Sequence, residues 1–249
     1  DVFRLGDDEE SKMRVLVSRR FYVDNASRIG NKKPLLFSAL LKRTFDLVFA
    51  SIALIALIPI FILLGFGVKI DSSGPILFRQ SRIGKCGKCF TIYKFRSMYV
   101  TAPCYAKKPS DDNTDPRITP FGRFLRSSGL DELPQFFNVL KGDMSIVGPR
   151  PEMPFIVEKY TKKQRERLSV SPGITGLWQI SPKRHEPIHQ NLQYDFFYIE
   201  NRSFFLDLKI IGKTLIHTLR CPILILKEKL TARNPWKRMT NKKNRFPAQ

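Results

Sequence analysis

The chain has 249 residues, with 43 lysines and arginines against 22 aspartates and glutamates, which gives a formal net charge of +21. This length suits one well-cored domain with appendages, and the basic excess favours partners that carry phosphate, namely lipid headgroups, nucleotides or nucleic acid. The four cysteines exclude a regular disulfide framework, and no cleavable secretory signal is recognisable, so we expect a reducing, cytosol-facing location.

An apolar run follows a polar leader over residues 1–40. Residues 45–68 contain only Asp46 and Ser51 as clear polar interruptions, and these 24 residues are enough for a helix that crosses a hydrocarbon core of about 30 Å. We therefore expect residues 41–70 to be embedded in a membrane. The chain starts at Asp1 rather than Met, so the sequence leaves open whether further membrane helices precede it.

The flanks of this run predict a helix that enters and leaves the membrane on the same side. Lys42 and Arg43 precede the run and Lys69 follows it, and the positive-inside rule places both flanks in the cytosol. Pro59 lies near the middle, where its missing N–H and its ring permit a sharp bend. We favour a re-entrant, proline-broken helix. The alternative is a kinked helix that spans the bilayer, since transmembrane helices tolerate proline.

Residues 71–220 have the patterns of one cytosolic domain. Short β-like runs at 76–78 and 90–93 flank a basic, glycine-containing turn, which predicts a β-hairpin. Helical periodicity follows over residues 121–125 and 132–140. The predicted fold class is α+β, mainly helical with a small β-sheet.

Two later segments are also predicted to be helical. Residues 152–168 combine apolar side chains with five basic ones, which suits an interfacial amphipathic helix on anionic lipid, although an ordinary solvated helix has the same pattern. Residues 199–226 are mostly helical in pattern, until Pro222 interrupts them. The basic tail over residues 221–249 either contacts lipid or lacks structure.

The adjacent carboxylates of Asp131 and Glu132 are the main catalytic candidates. In a chain this basic, an acid pair flanked by Arg126 and Arg150 is expected to face a polyanion or a metal ion. A nucleophilic aspartate with a second carboxylate, a divalent cation and nearby arginines would perform phosphoryl transfer through an aspartyl phosphate. The alternative is structural: Ser128 caps a helix and the two acids complement its dipole.

Four basic residues around the predicted hairpin are candidate phosphate ligands. They are Arg79, Arg82, Lys94 and Arg96. Such density is partly what a chain of this composition shows by chance, so these residues carry less weight than the acid pair.

Two sequence patterns resemble zinc-binding motifs, but neither has the features that a zinc site of its type requires. Cys86 and Cys89 have no second cysteine pair with zinc-ribbon spacing. His185-Glu186-Pro187-Ile188-His189 matches the HExxH pattern, but Pro187 interrupts the continuous helix that this pattern requires. We therefore expect neither a zinc ribbon nor a zinc protease.

Several short motifs follow one another in a characteristic order along roughly residues 40–217. They include Lys42-Arg43-Thr44-Phe45-Asp46, Arg79-Gln80-Ser81-Arg82-Ile83-Gly84, Tyr93-Lys94-Phe95-Arg96, Asp131-Glu132-Leu133-Pro134-Gln135, Gly148-Pro149-Arg150-Pro151 and Pro172-Gly173-Ile174-Thr175-Gly176. This order resembles the bacterial sugar transferases, the monotopic polyprenyl-phosphate phosphoglycosyl transferases.

The resemblance implies a re-entrant membrane helix and a catalytic domain on the cytoplasmic face of the bacterial inner membrane. It implies that Asp131 is the nucleophile, and that Asp131 and Glu132 contact a Mg²⁺ ion. It also implies that Arg126 and the turn Pro149-Arg150-Pro151 line the pocket for nucleotide and phosphate.

The same resemblance implies the substrates. The donor would be a UDP-sugar and the acceptor polyprenyl phosphate, with release of UMP as the first step of surface polysaccharide or glycoconjugate synthesis. Anionic lipids are further expected partners, and nucleic acid is not. The sugar, the nucleotide and a homodimer stay open. The chain departs from the family after Trp178-Gln179, which leaves the local sugar contacts open.

Two other functions compete with this interpretation. In the first, the chain is a membrane-tethered protein that binds nucleic acid or lipid, and salt-sensitive nucleic-acid binding without turnover would support it. In the second, the chain is a catalytically silent scaffold of the same fold. The intact pair of Asp131 and Glu132 argues against the second.

Overall fold

The computed structural model describes residues 36–102, 114–184, 186–216 and 218. The predicted leader and basic tail lie almost entirely outside these residues. Within them the chain is mainly helical and has two small two-stranded sheets, which agrees with the predicted α+β class.

The apolar run forms two helices, α1 (Leu36–Ala56) and α2 (Ile58–Asp71). The pair is bent by 63° at its one-residue break. Pro59 lies in the first turn of α2, where it has no N–H to donate to the preceding turn and where its fixed φ suits the start of a new helix. The predicted bend near Pro59 is confirmed.

Membrane insertion of this pair stays a prediction. No single helix in the described ranges is both long and apolar enough to cross a bilayer, whereas α1 and α2 meet that criterion together. The pair presents exposed apolar side chains to its surroundings, each between 63 % and 69 % exposed: Ile52, Ile55, Ile62, Leu63 and Phe66. A large exposed apolar surface marks a membrane or a partner. By length and composition the bent pair is a broken span or a re-entrant helix, and this surface suits both.

Asp46, a polar interruption of the apolar run, lies inside the protein. Its side chain is almost fully buried, and its Oδ1 accepts the N–H of Ile146 at 3.1 Å. Apolar neighbours around it join α1 to the rest of the domain through one core that contains Ala50, Val139, Ile146, Tyr198 and Ile210. The helix pair is thus packed onto the domain that carries the acid pair, α1 through this core and α2 through a second one.

The predicted β-hairpin is confirmed. Strands β1 (Leu77–Ile83) and β2 (Cys89–Phe95) pair antiparallel along their whole length. A short 3₁₀ turn, Lys85–Gly87, connects them, and Cys86 adopts a φ of 57° there. The strands are longer than the predicted apolar runs because their charged residues take part in the same ladder.

The acid pair lies between two short helices. Helix α3 (Pro120–Ser128) ends at Gly129, whose φ of 73° is the left-handed conformation that glycine adopts readily. Leu130–Glu132 then form one 3₁₀ turn, and α4 (Gln135–Lys141) follows. The predicted helical segments are therefore present, but the chain turns sharply between them.

In the structural alternative for the acid pair, the helix cap by Ser128 is wrong, whereas the two acids do lie in the first turn of a short 3₁₀ helix. Ser128 is the last residue of α3, and its hydroxyl donates back to the carbonyl of Phe124 at 2.7 Å. Its hydroxyl is thus committed to the helix that precedes the acid pair.

The prediction of a continuous amphipathic helix over residues 152–168 is also wrong. The segment forms α5 (Pro154–Glu158) and, after a turn, a 3₁₀ helix at Gln164–Ser169. Arg165 and Arg167, which the prediction places against lipid, are 0 % and 2 % exposed. They lie inward because carbonyl, hydroxyl and carboxylate oxygens of the protein accept their N–H groups.

The predicted C-terminal helix is two helices. Helix α6 (Gln193–Asn201) is followed by a break, and α7 occupies residues 204–216. Ser203 marks the start of α7, because its hydroxyl accepts the N–H of Leu206 at 3.2 Å. Pro222, the predicted interruption, lies outside the described residues.

The HExxH pattern does not form a continuous helix in the described residues 186–190. Pro187 is extended, with φ and ψ of −60° and 134°, and only Ile188–Gln190 form a single 3₁₀ turn. This agrees with the prediction from Pro187, and His185 lies outside the described residues.

The second sheet brings two glycine-containing motifs together. Strands β3 (Ser145–Val147) and β4 (Gly173–Thr175) pair in parallel. The main chains of Gly148 and Gly173 then approach so closely that a Cβ on Gly173 would overlap the amide nitrogen of Gly148 and the carbonyl oxygen of Thr175. Only glycine leaves room for this contact.

We expect Gly173→Ala to destabilise the fold, because the added methyl group must displace main chain rather than a mobile side chain. Overpacking costs roughly 1–3 kcal/mol, and a main-chain clash belongs at the upper end of that range. The matched control is Gly212→Ala in α7, where an added Cβ meets nothing within 4 Å and alanine favours the helix. Thermal unfolding in detergent compares the two variants; an unchanged melting temperature for Gly173→Ala would contradict the close main-chain contact.

Candidate active site

The two carboxylates of the acid pair have different surroundings. Asp131 is 7 % exposed, and its carboxylate accepts no hydrogen bond from any residue that the structure describes. The carboxylate of Glu132, in contrast, is bound by two cationic side chains. One acid is therefore neutralised and the other keeps its oxygens uncommitted.

Glu132 joins two parts of the fold through salt bridges. Its Oε1 lies 2.6 Å from Nζ of Lys94 in β2 and 2.6 Å from Nη2 of Arg150, and its Oε2 accepts Nη1 of Arg150 at 3.2 Å. The contact with Arg150 is bidentate, the geometry that a guanidinium and a carboxylate favour. The first hairpin and the turn after β3 thus meet at Glu132.

The pKa values of the two acids move in opposite directions. Burial raises the pKa of Asp131 to about 6; the charge of Glu132 adds to the rise, and Lys94, Arg126 and Arg150 oppose it. Burial also acts to raise the pKa of Glu132, but Arg150 and Lys94 outweigh burial and hold it well below its usual range. At neutral pH Asp131 is therefore an ionised, poorly solvated carboxylate, as a nucleophile requires.

We expect Asp131→Asn to be more stable than the unchanged chain at pH 7.5 and not at pH 4. The folded-state pKa of about 6 lies above the ordinary value of 3.8, so the folded chain loses stability as pH rises through this window and the carboxyl ionises. Because Asp131 is coupled to Glu132, we expect a gain of roughly 1–2 kcal/mol rather than the full value of the shift. Melting curves at both pH values, without divalent cations, measure this gain. Equal melting temperatures of the two proteins at pH 7.5 would contradict the claim that ionised Asp131 destabilises the fold.

Three of the predicted basic residues surround the acid pair. Lys94 and Arg150 bind Glu132 directly, and Arg126, in the last turn of α3, contributes positive charge near Asp131. These residues come from β2, α3 and the turn after β3. The fold therefore brings together basic residues that are separated by more than fifty positions in the sequence.

The other predicted phosphate ligands make no hydrogen bond or salt bridge with Glu132. Arg96 is 6 % exposed and donates to three carbonyls at the end of α2, so it terminates that helix. Arg79 lies 5.8 Å from the ring centroid of Tyr93. Arg82 donates to the carbonyl of Pro151 and to the side chain of Gln80. Only Arg82 among them contacts the turn that bears Arg150.

Sequence reasoning missed two residues behind this turn. Arg167 donates to the carbonyl of Arg150 at 2.7 Å, and its guanidinium is paired with Asp195. Arg167 is placed on a lipid-facing helix by its pattern because a single sequence does not distinguish a buried arginine from a solvated one. The partner that buries it lies 28 residues away.

Comparison with known proteins places the chain among relatives of one kind. Residues 37–221 match the family described as Bacterial sugar transferase. The chain is 40 % identical over 207 residues to the undecaprenyl-phosphate galactose phosphotransferase of Salmonella typhimurium, an alignment that covers 78 % of this chain and 43 % of that protein.

Two further relatives are named for other sugars. The UDP-glucose:undecaprenyl-phosphate glucose-1-phosphate transferase of Klebsiella pneumoniae is 44 % identical over 182 residues, which cover 70 % of this chain and 39 % of that protein. The UDP-N-acetylgalactosamine-undecaprenyl-phosphate N-acetylgalactosaminephosphotransferase of Aeromonas hydrophila is 37 % identical over 195 residues, which cover 76 % and 46 %. The chain thus spans less than half the length of these relatives.

Proposed function

Because the chain belongs to the bacterial sugar transferase family, we propose that it transfers a sugar 1-phosphate from a UDP-sugar to polyprenyl phosphate in the membrane. The observation that carries this proposal is the acid pair. Asp131 is buried, ionised at neutral pH and without a hydrogen-bond partner in the described chain, and three cationic side chains surround it and Glu132.

In the first step, an oxygen of Asp131 attacks the β-phosphorus of the donor. A bond forms between that oxygen and phosphorus, and the bond from phosphorus to the bridging oxygen breaks, so the nucleoside monophosphate leaves with the electron pair. The product on the protein is a phosphosugar-aspartate. Poor solvation of Asp131 favours this step, because little water must be removed from the attacking oxygen.

In the second step, a phosphate oxygen of the polyprenyl phosphate attacks the same phosphorus. The bond from phosphorus to the Asp131 oxygen breaks, the carboxylate is restored, and the lipid-linked diphosphate sugar leaves. Both steps build negative charge on phosphoryl oxygens. Arg126, Arg150 and Lys94 are positioned to stabilise this charge, and such preorganised groups act strongly in a site that excludes water.

Magnesium fits the residues present. Asp131 keeps both oxygens uncommitted in the described chain, and Oε2 of Glu132 has one contact there, at 3.2 Å. Mg²⁺ commonly uses one or two protein carboxylates together with substrate phosphates and water. Asp131 and Glu132 would hold the ion, which when bound neutralises the charge of the diphosphate.

A place at the membrane follows from the same proposal. The bent pair α1 and α2 carries exposed apolar faces and is packed on the domain that bears the acid pair, as an enzyme with a lipid-linked substrate requires. We propose the cytoplasmic face of the bacterial inner membrane, with anionic lipids around the basic domain. The relatives differ in their named sugar, so the sugar is the variable to determine.

The test is release of UMP from a panel of UDP-sugars by detergent-solubilised protein with magnesium, with and without undecaprenyl phosphate. We expect one donor to give UMP release that depends on the lipid. No release with any donor, together with salt-sensitive binding of nucleic acid, would support a binding protein instead and overturn the proposal.

A further inference from the structure

Every main-chain carbonyl of the turn Pro149-Arg150-Pro151 is held by a donor from another part of the chain. The first carbonyl accepts the N–H of Gly173 at 2.9 Å, the second accepts Nη2 of Arg167 at 2.7 Å, and the third accepts Nη1 of Arg82 at 3.3 Å. The two prolines have no N–H, so their carbonyls are their only main-chain hydrogen-bonding groups.

Arg167 occupies the centre of this arrangement. Besides the carbonyl of Arg150, it binds Oδ2 of Asp195 through Nε at 2.8 Å and through Nη2 at 2.7 Å, and the hydroxyl of Tyr160 through Nη1 at 2.8 Å. All three of its side-chain nitrogens are committed. Arg167 is 2 % exposed and Asp195 is 3 % exposed, so the ion pair is fully buried. Asp195 belongs to α6, and the pair therefore ties α6 to the turn.

The shape of the turn and its place in the molecule have different causes. The two prolines restrict the turn itself, since each fixes its own φ and Pro151 confines Arg150 to extended conformations. They do not determine where the turn lies relative to Glu132. A buried ion pair contributes little net stability, because desolvation offsets the attraction, but it can fix one arrangement of the chain.

We propose that Arg167, held by Asp195, is a positioning residue that places Arg150 for its bidentate contact with Glu132. Arg167 acts through the carbonyl of Arg150, while the Arg150 side chain extends to the acid pair. This inference rests on the proposed function only for its kinetic test. A lysine at 167 keeps the charge but lacks the forked donors that bind a carboxylate and a carbonyl together.

The first test measures the turn directly and needs no turnover. In Arg167→Lys and Asp195→Asn, amide hydrogen exchange of the peptide 147–153 is expected to become at least about tenfold faster, as loss of a charged hydrogen bond implies. The matched control is Arg165→Lys. Arg165 lies in the same 3₁₀ helix, is equally buried and donates to the carbonyls of Tyr160 and Glu158. The proposal is overturned if the exchange is unchanged in Arg167→Lys and in Asp195→Asn. It is also overturned if the control Arg165→Lys exchanges as fast as they do.

The second test asks whether Arg167 acts through Arg150. Arg167→Lys is expected to lower kcat about tenfold in the unchanged chain and less than about twofold in an Arg150→Met background, because coupled residues are not additive. Equal losses in both backgrounds would mean a general structural role and would overturn the proposal. If the unchanged chain has no turnover, the proposed function fails, and the exchange experiment still decides whether Arg167 holds the turn.

Discussion

Asp131→Asn is expected to abolish sugar-phosphate transfer while the protein still folds and associates with membranes. Asparagine has the same shape as aspartate but offers no carboxylate to attack phosphorus. Loss of a covalent nucleophile commonly lowers kcat by about 10⁴-fold or more. Lipid-dependent UMP release, measured beside sedimentation with membranes, gives both quantities in one preparation.

The matched control for this variant is Asp46→Asn. Asp46 is also buried, at 3 % exposure, and the amide oxygen of asparagine can accept the same N–H of Ile146. We expect this control to keep its turnover. If Asp131→Asn retained the turnover of the unchanged chain, Asp131 would not be the nucleophile. If both variants lost turnover, the cause would be the replacement of any buried aspartate, and the loss would not identify Asp131 as the nucleophile.

Glu132→Gln is expected to lower both activity and stability. The change removes the charge that neutralises Lys94 and Arg150, so two cations are left close together in a poorly solvated site. Breaking a largely buried ion pair by removing one partner costs about 3 kcal/mol. The misplaced arginine and lysine should also lower kcat roughly 10²- to 10³-fold, as for other lost electrostatic groups.

The sign of the stability change separates the two neighbouring acids. The same chemical change, carboxylate to amide, is expected to raise the melting temperature at Asp131 and to lower it at Glu132, because only Glu132 is paired. The control is Glu200→Gln on the exposed surface of α6, which should change neither the activity nor the melting temperature. A higher melting temperature for Glu132→Gln at pH 7.5 would contradict the assigned salt bridges.

The elements that the sequence predicts correctly are those with a strong local signal. Pro59 bends the apolar run because a missing N–H acts wherever the residue lies. The hairpin of β1 and β2 follows from two β-like runs around a glycine-containing turn. The acid pair stands out because Arg126 and Arg150 flank it in a chain of net charge +21.

The elements that the sequence misplaces depend on distant partners. Arg165 and Arg167 have the spacing of basic residues on an amphipathic helix, but acceptors elsewhere in the fold draw them inward. Arg96 lies among cationic residues in sequence and yet binds the carbonyls that end α2. In each case an arginine donates to buried oxygens. A hydropathy pattern treats every arginine as a solvated residue and therefore does not predict this pairing. The roles of these residues require the three-dimensional contacts.

The most direct measurement is peptide mass spectrometry of the protein after incubation with its UDP-sugar and magnesium, without polyprenyl phosphate, followed by an acid quench. The mechanism predicts one added phosphosugar on the peptide that contains Asp131. This adduct should disappear when polyprenyl phosphate is supplied and should be absent from Asp131→Asn. Turnover without any adduct, or with an adduct on another residue, would contradict the covalent role of Asp131.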